Sequence, residues 1–221
     1  MGTITRTFAN NITTSGVFKP TAFNNASFDN VTAVPSGAVE GGNMVLLSTQ
    51  TASASASISF TTGIDSTYKE YMFVFNNIHP SVDNARLSFN MSTDGGSNYN
   101  VTKTSTFFIA QHTEDDTSTS LLYTTALDLA QSTSYQLLSN DVGNASSNSL
   151  SGTLHLFNPS NTTFVKHFIY NGSAKRTNDP AYSYNLFAAG YGNTTSAVNA
   201  IDVKFNSGNI DDGTIQMFGI L

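Results

Sequence analysis

A chain of 221 residues has room for one large domain, or for one domain with an extension. Hydrophobic residues make up 39%, enough for a core, but charged residues only 11%, where an average soluble domain has roughly 25%. With 9 Lys+Arg, a net charge of −6 and no cysteine, the chain lacks the basic stripe of a nucleic-acid binder, any disulfide framework and any thiolate metal site.

In chain order, residues 1–41 come first. Apolar points such as Phe8, Ile12, Phe18, Phe23, Phe28 and Val31 stand apart among Asn, Thr and Ser, and Pro20, Pro35 and Gly41-Gly42 punctuate the stretch. Such a pattern closes no core of its own. It predicts an extended N-terminal arm, and polar termini fray unless something ties them down. A partner, or a copy of the same chain, is expected to hold it.

From residue 42 onward the signals are those of strands. Residues 43–50 form a short apolar run. Residues 52–60 alternate Ala/Ile/Phe with Ser, which predicts a strand with its Ala/Ile/Phe face inward. Further strands are predicted at 68–78, 86–91, 99–110, 121–129, 134–138, 150–157, 163–170, 182–189, 197–205 and 214–220. Residues 158–161 (Asn-Pro-Ser-Asn) are expected to turn a hairpin. No long 3.6-residue period is present, and 121–130 is the one stretch that tolerates a helix. About a dozen strands at this spacing imply an all-β protein. The expected architecture is an antiparallel jelly-roll-like β-sandwich over 42–221, with the arm at 1–41.

Chemistry is sparse. Ser92, Asp94, Gly96 and Tyr99 match the spacing of an Asp-box, with Tyr in place of the usual Trp. Asp94 accepts backbone N–H groups of its own turn, glycines allow positive φ, and the aromatic packs beneath. This predicts a structural turn. Glu114, Asp115 and Asp116 form the one acidic run, a weak Ca²⁺ candidate, because calcium loops space their ligands at alternate positions and include Gly. His155 and His167 flank the 158–161 turn, but no third zinc ligand is evident. Glu occurs only at Glu40, Glu70 and Glu114. No nucleophile elbow, zincin, P-loop or dinucleotide fingerprint appears. No enzymatic activity, no cofactor and no resident metal are therefore expected. Tyr99, Tyr170, Tyr182 and Tyr191 are candidates for stacking on sugar rings, with core packing as the alternative reading of most of them.

Two features of the whole chain stand in tension. A surface rich in hydroxyls and amides suits an extracellular protein. Yet residues 1–6 carry no apolar signal-peptide region, and no run approaches the roughly 18 apolar residues of a membrane span.

Five stretches bear on this. They are 5–13 (TRTFANNIT), 66–75 (STYKEYMFVF), 92–99 (STDGGSNY), 151–159 (SGTLHLFNP) and 213–220 (GTIQMFGI). Together they resemble small structural proteins of tailed-phage virions, particularly phages of marine bacteria. The resemblance is one of pattern and carries no catalytic motif. It implies a trimeric β-sandwich made and assembled in the host cytoplasm and displayed on the virion. There it would serve as a tail-fibre or head-fibre component, or as a capsid decoration protein. The partners expected are copies of itself, other virion proteins through 1–41, and a host surface glycan, with no nucleic acid and no membrane. From another class, a polysaccharide-degrading enzyme with dispersed carboxylates stays open as an alternative.

Overall fold

The computed structural model describes residues 44–176 and 180–221; the expected arm at 1–41 lies outside these residues. Among the described residues there are twelve strands and no helix. The strands are β1 (Met44–Thr51), β2 (Ile58–Phe60), β3 (Glu70–Pro80), β4 (Leu87–Ser92), β5 (Lys103–Thr113), β6 (Thr119–Tyr123), β7 (Gln136–Leu137), β8 (Leu150–Phe157), β9 (Lys166–Arg176), β10 (Tyr182–Gly192), β11 (Ala200–Phe205) and β12 (Ile210–Ile220).

All pairings are antiparallel, and they form two sheets. The larger has the order β1-β12-β3-β8-β9-β10-β5-β6, and the smaller β2-β11-β4-β7. A jelly roll divides eight strands between two sheets through paired Greek keys; here the division is eight and four. What the alternating sequence did predict is the all-β antiparallel sandwich, and that is the observed class.

Period-two patterning explains the core. On β9, Phe168, Tyr170 and Ala174 are buried, while His167, Ile169, Asn171 and Ser173 face out. On β5, Lys103, Ser105, Phe107 and Ile109 point inward. The two sheets meet through aromatic edges: Phe60 of β2 against Phe73 of β3 at 5.4 Å, and Phe89 of β4 against Phe168 of β9 at 5.1 Å, both edge-to-face. Each such ring, removed from water, contributes on the order of 2–3 kcal/mol. The edge-to-face geometry adds roughly 0.5–1.5 kcal/mol.

Two expectations are corrected. The strictly alternating run 52–60 is not one strand. Ala54 adopts φ 51°, Ser55 forms only an isolated bridge to Ile210, and pairing resumes at Ile58–Phe60. Ala54 and Ala56 are exposed. A methyl group offers little area to bury, so alternation built on Ala does not hold a strand on the core. Only Ile58 and Phe60 have that area, and they are buried. Likewise the strand expected over 121–129 is β6, which ends at Tyr123 and is followed by a turn in which the Leu127 N–H donates to the Thr124 carbonyl.

Candidate functional site

Three places in the fold bring chemically capable side chains together: the outer face of the large sheet, the 92–99 turn, and a buried polar cluster between β4 and β5.

The outer face is apolar where β6, β5 and β10 lie side by side. Register pairs Tyr123 with Phe108 and Phe108 with Phe187, so three aromatics form one cross-strand row. The Phe108 and Phe187 rings stack at 4.8 Å. Leu121 beside them is 72% exposed and Tyr123 57%. Both expose more than half of their surface, so nothing in the described chain covers this band. At the opposite edge, Met44, Val45 and Leu46 of β1 are exposed as well. β1 and β6 each have one hydrogen-bonded neighbour among the described residues. Sheet edges of this kind leave backbone donors and acceptors open to another strand.

The 92–99 turn is built as its residues predict. The Ser92 Oγ–H donates to Asp94 Oδ1 at 2.6 Å, and the Gly96 N–H donates to Ser92 Oγ at 3.0 Å. Asn98 gives Asp94 its backbone N–H at 2.9 Å and its side-chain amide at 2.7 Å. Gly95 and Gly96 have φ of 72° and 91°, which the turn requires and a β-carbon would strain. Tyr99 lies against Gly96, its hydroxyl filling the space where a β-carbon would sit. Hydrogen bonds from Ser92 and then Asn98 hold the Asp94 carboxyl down at about 2, below the usual 3.8. Both carboxylate oxygens of Asp94 are thus engaged inside the turn.

The remaining candidates separate. Glu114 pairs with Lys175 at 3.2 Å and Asp116 with His112 at 2.9 Å, while Asp115 accepts the Thr117 hydroxyl and N–H. Three carboxylates with three partners do not converge on a cation, and no group of three acidic or His side chains among the described residues is arranged to hold one. His155 binds Glu70 at 2.5 Å, and His167 instead lies 6.1 Å from the Tyr191 ring.

Of the four tyrosines, Tyr170 is corrected: it is fully buried and belongs to the core, with its ring edge-to-face on Phe75. Burial drives its phenol far above the ordinary range. Tyr99 packs on its turn, and Tyr191 stands half-buried near the far end of β10. Tyr182 lines a groove of about 310 Å³ with Glu114, Ser151, Ser173 and Lys175, so its ring stands beside hydroxyls and charge. The four do not form a common surface.

The third place was not foreseen. Lys103, fully buried at the start of β5, donates from Nζ to Asn90 Oδ1 at 2.5 Å and to the Val101 carbonyl at 2.7 Å. Burial brings its ammonium down to about 7 from the usual 10.5. Asn90 is itself fully buried. Next to it on β11 lies Asp202, the one acidic side chain buried among the described residues, which accepts from Ser59 at 2.6 Å and Tyr135 at 2.9 Å. The sequence signal was Lys103 at an inward position of an alternating strand, a place that ordinarily holds an apolar residue.

No protein-family model, curated protein or solved structure matches the chain.

Proposed function

We propose that the protein is a non-enzymatic structural component of a tailed-phage virion, a trimeric tail-fibre or head-fibre piece displayed on the particle surface and touching the host. The observation that carries this reading is the aromatic band of Tyr123, Phe108 and Phe187 with Leu121, left uncovered by the described residues and next to a strand edge open among them. Soluble monomers rarely leave contiguous apolar patches of this kind, and core positions of interfaces are rich in aromatics and poor in charge. The low charge content agrees with a surface that packs against copies of itself. The sequence likeness to virion structural proteins points the same way. The Tyr182 groove offers an aromatic ring among hydroxyls, a chemistry suited to a host sugar.

The test is the mass of the purified protein by light scattering, with its copy number in intact particles. A trimer at a few to a few dozen copies per particle supports the fibre reading. Hundreds of copies following the shell symmetry would replace it with capsid decoration. A monomer absent from particles would overturn both, and turnover of a host polysaccharide would then make the protein an enzyme.

A further inference from the structure

We propose that Lys103 and Asn90 react with each other, forming a side-chain amide bond that joins the two sheets of the sandwich.

The geometry is that of a nucleophile held on its electrophile. Lys103 leaves the inner face of β5 in the large sheet, and Asn90 belongs to β4 in the small sheet. Nζ already touches the carboxamide at Oδ1, one bond from the carbon it would attack. The carboxamide cannot turn away. Its Nδ2 donates to the Tyr99 carbonyl at 2.6 Å and the Thr133 carbonyl at 3.0 Å, and its Oδ1 accepts the Met91 N–H at 2.9 Å. Holding reactants in this way supplies a large part of what an amide exchange needs. The Met91 N–H is aimed at the oxygen on which charge develops.

Lys103 has no carboxylate partner among the described residues. A buried ammonium without a counter-charge is costly, and the group relieves that cost by losing its proton. Near neutral pH a sizeable share of Lys103 is therefore the free amine, the form with a lone pair to donate. As a purely structural donor to two carbonyl-type oxygens, a buried lysine is a poor choice, since it loses hydration and gains no ion pair.

The reaction balances without any co-reactant. The Nζ lone pair of neutral Lys103 bonds to Asn90 Cγ while the carbonyl pair moves onto Oδ1. One Nζ proton then passes to Nδ2. The pair returns from Oδ1, the Cγ–Nδ2 bond breaks, and ammonia leaves.

Intact-mass spectrometry of the denatured wild-type protein tests this. The expected mass is short of the sequence mass by one ammonia, and a digest yields a branched peptide containing Asn90 and Lys103. Lys103→Arg is expected to fold with the full mass and to give no branched peptide. In freshly refolded wild-type protein, the mass loss is expected to speed up as pH rises through about 7. Wild-type protein that is folded yet has full mass and no branched peptide overturns the proposal.

Discussion

Gly172→Ala is the perturbation that most directly tests how the large sheet is packed. Gly172 of β9 lies opposite Gly152 of β8, and the Tyr170 ring folds over the pair. A β-carbon on Gly172 would sit 2.1 Å from the Tyr170 hydroxyl oxygen, 2.6 Å from Cζ and 3.0 Å from Cε1. Carbon contacts are favourable only at about 3.5–4.0 Å, and the fully buried ring has Phe75 against it. Overpacking of this kind costs about 1–3 kcal/mol. Gly172 does not have a positive φ, so alanine also restricts the unfolded chain and returns about 0.4–1 kcal/mol. The net loss is about 1–2 kcal/mol, or roughly 2–8 °C in Tm for a domain of this size. Tyr170→Phe removes a buried hydroxyl that has no hydrogen-bond partner and is expected to raise stability by about 1 kcal/mol. It also relieves the shortest contact but not the one to Cζ. Gly172→Ala is therefore expected to cost less, but still something, in the Tyr170→Phe background. Urea unfolding of the wild type, the two single variants and the double variant measures this as a cycle. Equal cost of Gly172→Ala in both backgrounds, or no cost in the wild type, would refute the packing argument.

Other outcomes are expected. Leu121→Asp or Phe108→Asp places a charge in the exposed aromatic band, where the folded monomer tolerates it; circular dichroism should stay unchanged while light scattering shows dissociation, and an unchanged oligomer would remove the band from the interface. Asp94 has a lowered carboxyl pKa, so the stability it contributes is fully present above pH 3.8 and is lost as pH falls toward 2. Asp94→Asn should flatten the pH dependence of Tm in that window, and an identical acid profile would mean the turn does not depend on the charge. Because Glu114, Asp115 and Asp116 face three separate partners, adding Ca²⁺ or EDTA should leave Tm unmoved; a rise of several degrees with Ca²⁺ would show that the loop reorganises around the ion.

Strand chemistry is local, and the sequence by itself determined it. Alternation on β3, β9 and β10 marks which residues face in, because side chains of a strand point to opposite faces whatever the strand pairs with. The 92–99 turn is equally local: Ser92, Asp94, Gly96 and Asn98 satisfy one another within a few residues, so spacing alone foretold it. Tertiary structure decided the rest. Ala52–Phe60 alternates as well as any strand, yet past the buried Ala52 its alanines Ala54 and Ala56 stand exposed, with too little area to hold the run against the core. Tyr170 and Tyr182 are the same residue type in similar surroundings of sequence. Only the pairing of β8 with β9 sends the first over a glycine pair in the core, and the second ends beside an open groove. Lys103 and Asn90 are 13 residues apart, and no spacing rule connects them. They meet because β4 and β5 belong to different sheets and the sandwich closes over both, a contact made by long-range packing that no local pattern encodes.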